Sequence, residues 1–88
     1  FLPIQGTIAS LRVDAVAALA TRLSREKAVQ LIRQGRLTCR HATIDTPSAA
    51  MQTGDVFSIR GYGKFRIAAV DGISRKGRYH ITIQKYQG

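Results

Sequence analysis

The chain is short of acid. Five Asp and Glu stand against 14 Lys and Arg in 88 residues, giving a formal charge of +9 and a pI near 10.9. That deficit points to a polyanion, nucleic acid above all, or to an anionic surface. Simple solubilisation is the plainer explanation, but the charge is unevenly spread. Residues 12–40 hold seven bases and two acids, residues 41–59 no base and two acids, and residues 60–88 seven bases and one acid. Cysteine is equally scarce. Cys39 stands alone, so no disulfide can close within the chain. With no signal peptide visible, this fits a reducing, cytoplasmic setting, or the plastid stroma in a plant. No apolar run nears the ~20 residues that a membrane span needs.

Catalytic and metal patterns are missing too. His41 and His80 are isolated, and one cysteine without Cys/His spacing makes no zinc site. The carboxylates are scattered at spacings that would not bring two together, and Asp14 and Asp55 read as cap and turn residues. No Ser or Cys nucleophile motif occurs, and neither the phosphate-loop nor the dinucleotide-binding glycine pattern is complete. We therefore expect a non-catalytic domain with no cofactor.

What is present gathers around Ser24–Cys39, SREKAVQLIRQGRLTC. Ser24 sits where an N-cap belongs, because its hydroxyl can accept a bond from an otherwise unpaired N–H of the first turn. Ala28, Leu31 and Ile32 recur at helical spacing as a narrow apolar stripe. Gly35 stands where a helix ends, since it takes the left-handed conformation without a Cβ clash. The period then changes. Leu37 and Cys39 alternate with Arg36, Thr38 and Arg40, as in a strand.

The flanks supply the rest of a core. Residues 1–10 read as a linker with a possible edge strand at Thr7–Ala9. Residues 12–20 read as a helix, with Val13, Val16 and Leu19 near one face and Asp14 at the positive end of the dipole. Two short helices joined at residues 21–23 make an αα-hairpin. Residues 36–44 suggest a small hairpin about Arg40-His41-Ala42, although no Gly or Asn supplies the usual turn chemistry. Residues 46–53 are a loop. Strands follow at Val56–Arg60, Lys64–Ile67 and Tyr79–Gln84, with Asp71-Gly72 and Lys76-Gly77 bracketing a basic loop. Helices first and strands after predict an α+β domain, two helices packed on a small, mostly antiparallel sheet. The 88 residues suffice for one domain of modest stability. Its core motif spans 11–60 and a C-terminal β extension spans 61–88.

The basic residues of the helix–strand unit are the first candidates for binding: Arg12, Arg22, Ser24, Arg25, Lys27, Arg33, Arg36 and Arg40. A helix N-terminus offers free N–H groups and a positive dipole to phosphate. The alternative is a solvated helix face. Arg60-Gly61-Tyr62-Gly63 matches the opening of the RNP1 signature of RRM domains, yet the aromatic due next is Lys64, and both helices precede the main strands. This reads as a glycine turn in which Tyr62 either stacks on a base or covers the sheet edge. Tyr62, Lys64 and His41 form a second tier of candidates. The loop Ser74-Arg75-Lys76-Gly77-Arg78 is either a solubilising tip or a backbone contact.

Several spaced residues carry a family likeness. Leu11-Arg12-Val13-Asp14, Ser24-Arg25 with Ala28, Leu31-Ile32 with Gly35 and Leu37, Pro47-Ser48 and Gly54-Asp55 resemble the S-four-type RNA-binding domain, named after a small-subunit ribosomal protein. The match covers about residues 11–60. Arg60-Gly61-Tyr62-Gly63-Lys64-Phe65 and Lys76-Gly77-Arg78 look like the C-terminal end of YlmH-type proteins, a set that includes the photosystem II S-four domain proteins. The resemblance implies the C-terminal domain of a longer chain. It also implies structured RNA, ribosomal or transfer, as ligand, with the ribosome as a further partner. Arg12, Ser24, Arg25, Lys27 and Arg36 would face the RNA, with Ala28, Leu31, Ile32 and Leu37 in the core. The family often has Asn-Gly after the first strand, where this chain has Arg40-His41-Ala42-Thr43. We expect a monomeric RNA-binding domain. The competing readings are a helix-turn-helix DNA binder, which Glu26, Gln30 and Arg33 on the second helix allow but do not demand, and a basic protein-interaction module.

Overall fold

The apolar positions of four strands fall on a single sheet face, and the two helices cover that face. The computed structural model describes residues 2–86. In chain order it has β1 (Leu2–Ile8), α1 (Val13–Thr21), α2 (Arg25–Arg33), β2 (Leu37–Cys39), β3 (Ala42–Thr43), β4 (Val56–Ile59), β5 (Gly63–Ile73) and β6 (Tyr79–Lys85). The strands form one sheet in the order β1-β6-β5-β4-β2-β3, and every pairing is antiparallel. Strand alternation sends Leu37 and Cys39, Phe57 and Ile59, Phe65 and Ile67, and Ile81 and Ile83 inward, and all eight are buried. Phe57 lies opposite Phe65, with ring centroids 5.4 Å apart in a stacked arrangement. Val13, Val16, Ala17 and Ala20 of α1 and Ala28, Leu31 and Ile32 of α2 complete the core. Burying one side chain such as Phe57 contributes about 1.5–3 kcal/mol. The α+β class expected from the chain order is the one found.

Three local features depart from the expectation. Residues 2–8 are strand rather than linker: β1 pairs with β6 along its whole length, from Leu2 opposite Lys85 to Ile8 opposite Tyr79. Gly6 makes this close fit possible. A Cβ there would meet Leu19 Cδ1 at 2.7 Å, so the absent side chain lets Leu19 of α1 pack closely on β1. Second, β5 runs on through Asp71-Gly72, where a turn was expected. Its pairing with β6 shifts register between Ile67 and Ala69 and again between Val70 and Ile73. These irregularities absorb extra residues, and Gly72 takes a φ of 89° among them. The reversal falls at Ser74–Gly77 instead, where Ser74 Oγ accepts a hydrogen bond from the Arg78 N–H at 3.2 Å.

Third, the β2–β3 hairpin turns on two residues, Arg40 and His41, both left-handed with φ of 53° and 66°. That geometry favours Asn-Gly, and each non-glycine residue costs about 1 kcal/mol there. The hairpin falls about Arg40-His41-Ala42 as the sequence implies, and what departs is its closure on two left-handed residues that are neither Gly nor Asn. Asp55 opposes the cost, because its buried carboxylate grips the Arg40 guanidinium from across the loop.

Candidate nucleic-acid interface

The start of α1 shows what two of the candidate arginines do. Arg12 is the N-cap residue but supplies no side-chain cap. The free N–H groups are satisfied by the loop that follows β3. Val13 N–H donates to the Ala49 carbonyl at 2.8 Å and Asp14 N–H to the Pro47 carbonyl at 3.1 Å. Asp14 is 3% exposed and accepts the Ala15 N–H at 2.8 Å through Oδ1. Its Oδ2 receives Arg12 at 3.1 Å and Arg25 at 3.0 Å. Asp14 is thus more than a first-turn residue. It joins α1 to the first residue of α2, and it holds two cations that composition alone would hand to a ligand.

At α2, the expected cap is present. Ser24 is extended, with φ −66° and ψ 160°, and its hydroxyl oxygen accepts the Lys27 N–H at 3.2 Å. Gly35 follows the helix with φ 74°, and its N–H donates to the Ile32 carbonyl at 3.0 Å. This left-handed step turns the chain sharply into β2. Arg36 is thereby carried to the 60–63 turn: its carbonyl accepts the Arg60 N–H at 2.9 Å, and its guanidinium passes 3.5 Å from where a Gly61 Cβ would sit. Between helix and turn runs an open groove lined by Leu23, Lys27, Gln30, Leu31, Gln34, Arg36 and Tyr62. No carboxylate lines it. Tyr62 is 37% exposed, so its ring is available as a flat wall beside two cations and two amides.

A different arrangement surrounds Arg40. Asp55, 5% exposed, accepts Arg40 Nε at 3.1 Å through Oδ1 and the Gln52 N–H at 2.9 Å through Oδ2. The hydrogen bond to Asp55, with its negative charge, pushes the Arg40 pKa further up, so this guanidinium stays charged. The neighbouring Cys39 thiol is pushed up as well, first by burial and then by the Asp55 charge, with Arg40 pulling the other way. It is a core thiol, not a nucleophile.

Every candidate side chain reaches the surface at least in part, but the candidates do not form one patch. Lys27, Arg36 and Tyr62 meet at the groove. Arg12 and Arg25 meet at Asp14, outside it. Arg40, His41 and Lys64 meet on the sheet face away from the helices. Arg22 and Arg33 are exposed, and Arg22 closes α1 in the left-handed conformation with φ 62°. Sequence reasoning missed Gln34 and offered Gln30 only for the DNA-binding alternative. Gln30 lies three residues beyond Lys27 and Gln34 four beyond Gln30, helical spacings that were the available signal. Among the described residues no group of three or more His, Cys, Asp or Glu could hold a metal ion, and no helix is long and apolar enough to cross a membrane.

The class these features define is an α+β domain with two helices over one face of an antiparallel sheet and a basic groove beside the second helix. Within that class, the chain is similar to the ribosome-associated protein quality control protein P2 of Bacillus subtilis (strain 168). The two are 33% identical over 79 residues, a match taking in 90% of this chain and 31% of that protein. The chain therefore spans about a third of the length of this curated relative. Its fold is similar to that of the 30S ribosomal protein S4e from Thermoplasma acidophilum, with a TM-score of 0.54 and 18% identity over 96% of this chain and 38% of that one. No protein-family model matches the chain.

Proposed function

We propose that this chain is a non-catalytic RNA-binding domain that takes structured RNA, ribosomal or transfer, against the groove beside α2. The observation that carries the reading is the groove itself. Lys27 and Arg36 converge there with Gln30, Gln34 and the exposed Tyr62 ring, and no carboxylate opposes them. Lys27 and Arg36 bind backbone phosphates, Arg36 by two parallel bonds where geometry allows. Gln30 and Gln34 bond 2′-hydroxyls or base edges, and Tyr62 stacks on an unpaired base. Arg22 and Arg33 widen the positive field, while Ser24 holds the first turn of α2 in shape. Arg12, Arg25 and Arg40 add charge from fixed positions on their aspartates. A relative named as ribosome-associated and a fold shared with a ribosomal protein support the same reading, as does the S-four-type resemblance.

Binding of a fluorescent ribosomal-RNA stem-loop across a salt series, with duplex DNA as competitor, tests it. For about five phosphates neutralised, log affinity falls against log salt with a slope of about 3.5 to 4.5. Structured RNA outcompetes DNA, and Lys27→Ala or Arg36→Ala weakens binding. A slope near zero, or equal competition by DNA, would sink the proposal.

A further inference from the structure

The sheet face that carries no helix gathers its lysine and arginine on one half, while a depression on the other half is lined by Asp71 and His80. Over β2, β4 and β5, alternation turns Thr38, Ser58, Lys64 and Arg66 away from the core. Thr38 lies opposite Ser58 and Ser58 opposite Lys64, one row across three strands. Arg66 stands in the next row, opposite Val56. The Arg40–His41 turn borders the same surface, and a shallow depression is lined by Thr38, Arg40, His41, Val56, Ser58 and Lys64 with no carboxylate among them. Across β6 and β1 the Arg66 row continues as Gln84 opposite Pro3, and further along stand Thr82 opposite Gln5 and the depression lined by Asp71 and His80, with no lysine or arginine among them. A solubilising surface has no reason to concentrate its cations on one half.

The geometry suits a phosphate backbone. Lys64 and Arg66 lie two residues apart on one strand face, about 6.7 Å, a separation of the same order as the step between successive phosphates along one nucleic-acid strand. Lys64 Nζ sits 5.2 Å from the centroid of the Tyr86 ring, which holds the ammonium over the sheet. Thr38 and Ser58 place two hydroxyls beside it, able to donate to phosphate or to bond a 2′-hydroxyl.

We propose that this open half-face is a second RNA contact, separate from the α2 groove, so that the domain lies between two RNA segments. Lys64 and Arg66 bind phosphates, and the Arg40–His41 turn forms one wall. The inference rests on the RNA-binding reading above and extends it to the opposite face of the sheet.

The test uses the protein at its full natural length, with the ribosomal-RNA stem-loop as probe. Protein is captured on an immobilised stem-loop, and retention of a second, labelled stem-loop is measured. Lysine acylation with and without RNA, read by mass spectrometry, reports on Lys64 directly. We expect retention of the second RNA, with Lys64 protected by RNA. The Lys64→Ala, Arg66→Ala pair lowers retention about tenfold and changes capture on the first RNA less than twofold. Lys64→Arg restores retention. Lys27→Ala with Arg36→Ala weakens the first capture instead.

If the groove pair abolishes all binding and the open-face pair changes nothing, this inference falls and the groove reading stands. If only the open-face pair matters, the groove reading falls, and with it the placement of the domain between two RNA segments. Equal loss from an Arg75→Ala, Lys76→Ala control means diffuse charge, and overturns the proposal. So does protection of Lys64 without RNA, which would mean that protein covers the face.

Discussion

The helix junction around Asp14 and the groove beside α2 are built from the same residue types and behave differently. At the junction, Arg12 and Arg25 close on one buried carboxylate, 3.1 and 3.0 Å away, and tie α1 to α2. In the groove, Lys27 and Arg36 stand beside glutamines and a tyrosine, and no carboxylate lines the space. One set of cations holds the fold in register. The other has no carboxylate beside it in the groove. A basic residue is therefore not evidence of binding until its nearest acid is known. The Arg40–Asp55 pair is an intermediate case, since it props a left-handed turn while Arg40 also lines the depression on the sheet face.

The largest expected effect comes from breaking the junction. Asp14→Ala removes a buried N–H acceptor and two ion pairs, but it leaves the arginines free to reach water. The loss is about 2–3 kcal/mol, a drop of roughly 10–20 °C in Tm for a domain of this size. Thermal melting checks it, and RNA affinity should not fall with it. The mirror experiment is Lys27→Ala with Arg36→Ala. Here stability stays within about 0.5 kcal/mol, while the salt slope of RNA binding flattens by about 1.5. If the two variants exchanged these effects, the division between the regions would be wrong.

Smaller effects sharpen the boundary. Ser24→Ala removes the α2 cap and costs about 1 kcal/mol, whereas Ser24→Asp keeps most of it; urea titration separates the two. His41→Gly relieves a φ of 66° and adds about 0.5–1 kcal/mol, measurable as a raised urea midpoint. The smallest effect is one of pH. The Cys39 pKa is raised in the folded chain, above an ordinary value of 9.0, chiefly by burial. The stability this gives is fully present below pH 9.0 and is lost as pH rises through the raised value. Cys39→Ala should flatten that alkaline decline in a melting series.

Much of the architecture was legible because it rests on local rules. Ser24 as cap, Gly35 as helix end, and the alternation at Phe57, Phe65 and Ile81 each state a backbone preference or a buried face within a few residues. The missed pieces depend on distant partners. β1 is a strand because β6 offers it an edge and Gly6 admits Leu19. The hairpin at Arg40–His41 was itself legible, but its left-handed backbone is tolerated because Asp55, 15 residues on, holds it. The candidate site divided in the same way. Its positive charge could be counted in advance, but its partition among the junction, the groove and the sheet face could not, because a carboxylate pairs through space.

The residues alone specify the class of fold: two amphipathic helices and alternating strands, in a chain with five acids against 14 bases. Hydrophobic periodicity and net charge are sums over neighbours and over the whole chain, so no structure is needed to read them. Only the tertiary structure decided which cations remain available. Folding brought Asp14 against Arg12 and Arg25, and Asp55 against Arg40, and it left the groove and the half-face of the sheet without an acid of their own. Ion pairing acts over a few ångströms, and those distances exist only once the helices have packed on the sheet.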